Sequence, residues 1–285
     1  MSELEYNIRP LQEEVLKIFK VFAAICEKHG LRYYAAYGTA LGAIRHHGFI
    51  PWDDDFDVSM PRCDYDKFRV IAKDNLPREL KYCDWHNTKE LTPHTYAKIQ
   101  VADRDVVQVV ETKLKRNLPH GVYIDIFPLD GAPQARLMRS VWLLKFRILL
   151  AVYSALGGSR TSRRLKSIAG RAVGVMFNTM YFHVHARTEL AKYFDRLVRS
   201  CVFGNGVGGC VFGPYGVLRD VIPVEAYGEP QYVRFEDTSI AVPHNCDAYL
   251  RNIYGNYMVM PPVEKRISSH AELADAPWKF GPTAE

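Results

Sequence analysis

The sequence contains no Cys-x-x-Cys pair, and its six cysteines are scattered along 285 residues. This scatter argues against a disulfide framework or a zinc knuckle and predicts reduced, packed thiols. A zinc site formed by Cys201 and Cys210 with His183 and His185 is an alternative, although these spacings match no standard zinc finger. The first residues, Met-Ser-Glu-Leu-Glu, also lack the basic charge and the apolar stretch of a secretion signal. We therefore expect a cytoplasmic protein.

Acidic residues are missing from one long stretch. Residues 131–188 include no Asp or Glu but ten Lys and Arg. The apolar run 141–156 in this block is interrupted by Lys145 and Arg147 and is shorter than the roughly 20 residues needed to span a bilayer. Two interpretations fit equally well: a helix on an anionic membrane surface, or an internal helical hairpin with a solvated basic face. We do not expect a nucleic-acid partner, because aromatic and basic residues do not alternate as in single-strand binders.

The periodicity of apolar residues predicts an α/β (α+β) fold, a mixed sheet with flanking helices and an inserted basic helical segment. We expect a catalytic core over residues 1–130, a basic, partly apolar helical insertion over 131–200, and a C-terminal part over 201–285 that completes the catalytic domain. The predicted helices cover residues 11–25, 39–47 and 62–74, and the predicted strands cover 31–37, 55–60, 96–101, 106–110 and 121–127, with Pro128 closing the last strand.

The predicted strand at residues 55–60 carries two carboxylates. Side chains two residues apart on a strand project from one face, so Asp55 and Asp57 can share a divalent cation. Asp125 lies between Ile124 and Ile126 on another predicted strand, where a carboxylate needs a cation or a hydrogen bond. A solvated turn and a structural hydrogen bond are the respective alternatives.

A Gly-Thr pair precedes the acidic strand. Gly38 and Thr39 stand where we expect a helix to start. The first N–H groups of a helix can bind phosphate, and glycine lets a phosphate approach the backbone closely. We therefore expect Gly38 and Thr39 to contact the phosphates of a nucleotide.

Four longer motifs extend this pattern. They are Gly-Thr-Ala-Leu-Gly-Ala-Ile-Arg at 38–45, Gly-Phe-Ile-Pro-Trp-Asp-Asp-Asp-Phe-Asp at 48–57, Gly-Val-Tyr-Ile-Asp-Ile-Phe-Pro-Leu-Asp at 121–130, and Tyr-Gly-Asn-Tyr-Met at 254–258 followed by Pro-Pro at 261–262 and Lys-Arg at 265–266. Together they resemble the LicD family of phosphotransferases, which includes the fukutin-related proteins. The resemblance implies a nucleotidyltransferase-like fold, in which Asp55, Asp57 and Asp125 are the acidic residues of the site.

The resemblance also implies a reaction. A phospho-alcohol group, such as phosphocholine, would pass from a CDP-activated donor such as CDP-choline to a hydroxyl of a cell-surface glycan or of its lipid-linked precursor, and CMP would leave. Chemistry of this kind uses magnesium, or manganese in its place, and we expect two ions held by Asp55, Asp57 and Asp125. Asp125 would also accept the hydroxyl proton. Peripheral contact with the inner face of the cell membrane is an open expectation.

Four further residues are candidates for substrate binding near the acidic motif. Arg45 can hold a phosphate through its planar guanidinium or pair with the aspartates. Trp52 can stack on the base, cover a choline ammonium, or pack in the core. Asp53 can share the metal or bind a cationic alcohol, and Lys98 is a candidate phosphate ligand.

A cationic group follows the Pro-Pro sequence near the end of the chain. Lys265, Arg266 and His270 can close over the nucleotide as a lid. An exposed tail is the alternative.

Two other function classes use the same residues. A nucleotidyltransferase would take a nucleoside triphosphate and release pyrophosphate, so its product distinguishes it. A non-catalytic protein that binds a glycan or a nucleotide is the other alternative. The sequence favours an enzyme, because three carboxylates on an apolar frame are costly without a function.

Overall fold

The computed structural model describes residues 8–84, 96–102, 122–156, 180–204, 206–211 and 213–266. The predicted strand 106–110 and His270 lie outside these ranges. So do the side chains of His183 and His185, and with them the zinc alternative.

A mixed β-sheet forms the centre of the molecule. Its strands are β1 (Tyr34–Ala35), β2 (Asp57–Pro61), β3 (Leu80–Cys83), β4 (Ala97–Val101), β5 (Tyr123–Ala132), β6 (Val207–Gly209) and β7 (Val221–Pro223). The order is β1-β2-β5-β4-β3, and β6 pairs with both β5 and β7. Strands β2 and β5 are parallel, whereas the other pairs are antiparallel. The expected mixed α/β fold is confirmed.

Helices pack against this sheet and extend it. They are α1 (Arg9–Lys28), α2 (Tyr37–His46), α3 (Arg62–Asn75), α4 (Arg136–Leu156), α5 (Met180–Arg199), α6 (Val217–Asp220) and α7 (Cys246–Tyr254), with 3-10 turns at Val224–Ala226 and Val263–Lys265. Helix α1 contains the predicted 11–25 helix and buries Ile18, Phe19 and Phe22 in the main core. Gly30, with φ of +61°, follows its end, as the sequence indicates.

A separate hairpin, β8 (Gln231–Phe235) and β9 (Thr238–Val242), supports the segment that leads to the acidic motif. Glu236 lies in the turn between β8 and β9. Its carboxylate accepts a hydrogen bond from the N–H of Phe49 at 3.0 Å and pairs with Arg9 at 2.7 Å. The N–H of Glu236 in turn donates to the carbonyl of His47. The turn therefore fixes the chain just before residues 53–57.

The predicted strands 31–37 and 55–60 are shorter than expected. β1 keeps only Tyr34 and Ala35, and α2 begins at Tyr37 because the N–H of Tyr37 donates to the hydroxyl of Tyr249 at 3.1 Å. Strand β2 begins at Asp57, so Asp55 precedes it.

The sequence predicted that Pro128 closes the strand, and this is wrong, because β5 continues through Pro128 to Ala132. The N–H of Asp125 donates to the carbonyl of Phe56, beside β2, so by alternation Pro128 faces the opposite edge of the strand. On that edge the pairing with β4 ends at Ile126 and the pairing with β6 begins at Asp130. A proline fits between the two ladders, because no N–H is needed there.

The predicted insertion contains α4 and α5, which share a second, smaller apolar core. Its buried members are Trp142, Phe146, Phe194, Val198 and Val211. The division of the chain at residues 130 and 200 stays a prediction.

Candidate active site

Three neighbouring strands place charged residues side by side. Asp57 on β2 is opposite Asp125 on β5, and Asp125 is opposite Lys98 on β4. Partners in register project from the same face of a sheet. The hydroxyl of Thr39 accepts a hydrogen bond of 2.8 Å from the N–H of Asp57 and so fixes the start of β2 against α2.

A cleft of about 490 Å³ opens over this edge of the sheet. This volume is within the usual range for small-molecule sites. Its acidic lining is Asp53, Asp55 and Asp57, and its basic lining is Arg45. Its aromatic lining is Tyr37, Trp52, Tyr215, Tyr254 and Tyr257. Gly38 also lines the cleft.

The acidic loop before β2 is held by a buried glutamine. The side-chain amide of Gln12, on α1, donates to the carbonyls of Ile50 at 3.2 Å and Asp53 at 2.8 Å. Carboxylate oxygens of Asp53, Asp54 and Asp55 lie within 4.8 Å of one another. Asp54 is buried, whereas Asp53 and Asp55 are half-buried and line the cleft.

Electrostatic repulsion is concentrated at Asp57 and Asp53. Burial raises the pKa of Asp57 well above its usual value, and the carboxylates of Asp125, Asp55 and Asp53 raise it further. Burial also raises the pKa of Asp53 to about 7, with added effects from Asp55 and Asp54. Among the described residues that line the cleft, three are carboxylates and one is an arginine, so burial and like charge act together on its acids.

Lys98 is the cation closest to this charge. Its ammonium contacts the carboxylate of Asp125 at 2.5 Å and lies 3.5 Å from the ring centroid of Tyr123. The ring of Tyr96 is 5.6 Å away. The pair is largely buried, with 14 % of each side chain exposed. Lys98 thus lowers the pKa of Asp57 slightly, against the larger effect of burial.

The carboxylates in the cleft have the chemistry of a divalent-metal site. Hard oxygen ligands are those that magnesium and manganese prefer. Burial and the neighbouring carboxylates raise the pKa values of Asp57 and Asp53, and a bound cation would relieve this crowding. Asp55 and Asp57 line the same cleft, as the sequence predicts for two ligands of one ion. Their roles as ligands, with Asp125, stay a prediction.

The start of α2 contacts a carboxylate rather than open space. A β-carbon at Gly38 would meet the carboxylate oxygen of Asp53, so a larger residue there would displace the Asp53 side chain. Thr39 is buried and its hydroxyl oxygen holds Asp57, although the hydroxyl hydrogen can still be donated. Phosphate contacts from Gly38 and Thr39 stay a prediction.

Two arginines, Arg45 in the lining of the cleft and Arg266 beside Trp52, are held by contacts with the chain. Arg45 donates to the carbonyl of Tyr257 at 2.7 Å and to the ring of His46 at 3.0 Å. The guanidinium of Arg266 lies 5.4 Å from the ring centroid of Trp52 and donates to the carbonyl of Pro261 at 2.9 Å. The alternative pairing of Arg45 with the aspartates is therefore not formed within the part of the chain that the structure describes.

The candidate lid residues are only partly placed. Lys265 is exposed, at the end of the last 3-10 turn, and Arg266 is half-buried against Trp52. Trp52 is itself half-buried. It packs against the main core and also lines the cleft. Its contacts with a base or a choline ammonium stay a prediction.

An aromatic wall was missed in the sequence. The hydroxyl of Tyr215 donates to that of Tyr254 at 3.2 Å, and their rings meet edge to face at 5.1 Å. Tyr215 also lies 5.7 Å from Tyr37. Tyr254 and Tyr257 belong to a quoted motif that gave no role for them, whereas the turn at Tyr215 had no distinguishing signal.

Comparison with known proteins gives a family match for the part of the chain that carries the acidic residues. Residues 30–146 match the model of the LicD/FKTN/FKRP nucleotidyltransferase domain. This range includes Asp55, Asp57 and Asp125, together with Lys98. The resemblance to the LicD family inferred from the motifs is thereby confirmed.

Individual relatives extend the match beyond this domain. The lipopolysaccharide cholinephosphotransferase LicD of Haemophilus influenzae is 26 % identical over 273 residues, which cover 94 % of this chain and 97 % of that protein. An uncharacterized protein of Rickettsia typhi is 40 % identical over 62 residues, or 21 % of this chain and 19 % of its own length. An uncharacterized protein of Rickettsia prowazekii is 48 % identical over 33 residues, or 12 % of each chain.

Proposed function

We propose that this protein is a LicD-type phosphotransferase that moves a phosphocholine-like group from a CDP-activated alcohol to a hydroxyl of a cell-surface glycan or of its lipid-linked precursor. The observation that carries the proposal is the pair Asp55 and Asp57 in one cleft, with Asp125 opposite Asp57 on the sheet, in a domain that matches the LicD model. The name of the Haemophilus relative, a lipopolysaccharide cholinephosphotransferase, supports the same reaction class.

The chain supplies the groups that the transfer needs. The acceptor oxygen forms a bond to the distal phosphorus of the donor, the bond from that phosphorus to the oxygen of CMP breaks, and the acceptor proton passes to Asp125. Lys98 holds the Asp125 carboxylate in position from the side away from Asp57. Arg45, which lines the cleft, and Arg266, which lies beside Trp52, orient the nucleotide phosphates.

Asp55, Asp57 and Asp125 would hold the divalent cations, magnesium or manganese. Two bound ions would supply charge neutralisation at the breaking phosphate bond and a lowered pKa for the attacking hydroxyl. Thr39 keeps Asp57 in place through its backbone N–H, and Gln12 keeps the loop of Asp53 in place. These two contacts set the ligand positions before any substrate binds.

The aromatic wall favours choline among the candidate alcohols. A quaternary ammonium has no hydrogen to donate, so faces of Tyr and Trp rings bind it by cation–π attraction. Trp52, Tyr215 and Tyr254 line the cleft together with Asp53. Glycerol and ribitol carry no charge and would gain nothing from this combination.

The expected location, in the cytoplasm with peripheral contact to the inner face of the membrane, is also a proposal. Among the described helices, none is both long enough and apolar enough to cross a membrane. A lipid-linked acceptor would bring the reaction to a membrane surface.

The decisive experiment follows the nucleotide product. Purified protein is incubated with magnesium and CDP-choline, CDP-ethanolamine, CDP-glycerol, CDP-ribitol or a nucleoside triphosphate, with a lipopolysaccharide acceptor and with or without EDTA. We expect CMP from CDP-choline that disappears with EDTA. Pyrophosphate from a triphosphate, with no CMP from any CDP compound, would instead identify a nucleotidyltransferase.

A further inference from the structure

Helix α4 has two apolar faces, and the smaller core uses only one of them. Trp142 and Phe146 are buried against α5. On the opposite side, side chains spaced by four, three and four residues are exposed to solvent. They are Leu137, Val141, Leu144 and Ile148, with exposed fractions of 77, 48, 59 and 55 %. We call these four residues the α4 stripe.

Spacing of this kind places all four side chains along one line of the helix. The α4 stripe runs about 17 Å, at 1.5 Å per residue. Exposed large apolar residues usually occur singly, so a continuous line of them indicates a surface that meets an apolar partner.

Basic side chains border the stripe. Lys145 and Arg147 are both exposed, and helical geometry places one on each side of the line through Leu144 and Ile148. Neither has an acidic neighbour on its own helix, because residues 131–188 contain no Asp or Glu. An apolar line between two rows of positive charge matches the boundary between the headgroups and the acyl chains of an anionic bilayer.

We propose that the α4 stripe binds the surface of an anionic lipid bilayer, with α4 lying parallel to the membrane plane. The apolar side chains enter the acyl boundary, while Lys145 and Arg147 extend their charged ends to lipid phosphates.

Charge decides against the other candidate partners. In a second copy of this chain, the stripe would bring Lys145 and Arg147 of both copies together, which is unfavourable. The segment 157–179 of this chain would meet the same difficulty, since it adds five positive charges and no negative ones. An anionic lipid surface complements both the apolar line and its basic borders.

The test is flotation of the full-length protein with vesicles of phosphatidylcholine alone or with phosphatidylglycerol added. We expect binding only when phosphatidylglycerol is present, and weaker binding at high salt. Leu144→Glu should lower the partition coefficient about tenfold or more. It replaces an apolar side chain that the bilayer would bury by a negative charge, which anionic lipids repel. Val70→Glu is the matched control, since Val70 is also exposed on a helix, at 64 %. It should bind as the wild type does.

Four results would overturn the proposal. Two concern the vesicles: binding by Leu144→Glu that equals the wild type, or no binding by the wild type at all. The third is a clear fall in melting temperature for Leu144→Glu without lipid, which would mean that the chain itself covers the stripe. The fourth is a wild-type dimer that Leu144→Glu dissociates. All of these readouts are independent of the transfer reaction, so the proposal and the proposed function fail separately.

Discussion

Strand β5 carries two carboxylates, Asp125 and Asp130, in opposite electrostatic surroundings. Asp130 is 1 % exposed and is held by Arg62 through two hydrogen bonds, one of them 2.7 Å from Nε. Asp125 contacts Lys98 at 2.5 Å and, together with Asp55 and Asp53, raises the pKa of Asp57. One end of the strand therefore pairs its carboxylate with an arginine, whereas the other end belongs to a cluster of carboxylates.

The compensated end continues into an ion-pair network between α3 and α5. Arg199 contacts Asp66 at 2.6 Å and Asp195 at 2.6 Å, and Asp195 lies 3.6 Å from Arg62. In this network each acid faces an arginine, which is the pattern of a structural connection. The cluster of carboxylates at the other end is the pattern of a functional site, and we propose that it binds a cation.

The largest expected effect is at the carboxylate cluster around Asp57 and Asp125. Asp57→Asn should lower kcat/KM by about 10³-fold or more, because it removes a proposed metal ligand without changing side-chain size. Its melting temperature should equal or exceed that of the wild type, since repulsion among the carboxylates is reduced. Steady-state CMP release and thermal unfolding measure the two effects. An active Asp57→Asn enzyme would remove Asp57 from the site.

The reverse result is expected at the compensated end. Asp130→Asn should destabilise the fold by about 3–5 kcal/mol, because the buried Arg62 loses its closest carboxylate and keeps the longer contact of 3.6 Å with Asp195. Denaturant unfolding measures this change, and the double variant Arg62→Met with Asp130→Leu should recover most of it. Lys192→Gln, which breaks the exposed pair with Glu189, is the control and should cost no more than about 0.5 kcal/mol.

Asp220 offers a buried carboxylate without an arginine. Burial raises its pKa to about 7, and its Oδ2 has no hydrogen-bond partner within the described part of the chain. Because the folded pKa is above the unfolded value, protonated Asp220 stabilises the fold at low pH, and this stability is lost as the pH rises from about 4 through 7.

Asp220→Asn should therefore raise stability at pH 8 relative to wild type, by up to about 4 kcal/mol, and change it little at pH 4. Unfolding curves at the two pH values measure the difference. An equal effect at both would show that Asp220 does not titrate in this range.

Lys98 tests the boundary between the two kinds of surroundings. Lys98→Met should lower kcat by about 10²-fold with a smaller change in KM, because Asp125 loses the charge that positions it. Lys81→Met, on the adjacent strand β3 and exposed, should leave kcat unchanged. A loss of stability without a loss of kcat would assign Lys98 to the structural group instead.

The smallest effect is expected at the aromatic wall. Tyr215→Leu should raise KM for CDP-choline by about 3- to 30-fold and leave KM for CDP-glycerol nearly unchanged, because only the ammonium gains from the ring. Competition between the two donors measures the ratio. An equal change for both would mean that Tyr215 packs the cleft without selecting the alcohol.

The sequence predicted the elements that periodicity and terminal residues determine. Helix α1, with Pro10 near its start and Gly30 after its end, is within three residues of the prediction. The extents of β1 and β5 were wrong, because the hydroxyl of Tyr249 and the change of partner strand at Pro128 are long-range features. No local pattern contains them.

The candidate site divides in the same way. Asp55 and Asp57 are two residues apart in the chain, so their common cleft followed from local geometry. The pairing of Lys98 with Asp125 depends on the register of β4 against β5, and the role of Gln12 depends on the packing of α1. Tyr215 reaches the cleft from a turn whose position only the folded chain determines.

The most direct test of the carboxylate cluster around Asp57 is calorimetric titration of the protein with Mn²⁺, without substrate. The wild type should bind manganese, Asp57→Asn should lose that binding, and Asp66→Asn, in the compensated network, should keep it. Equal manganese binding by the wild type and Asp57→Asn would contradict the proposal that Asp57 and its neighbouring carboxylates form a metal site.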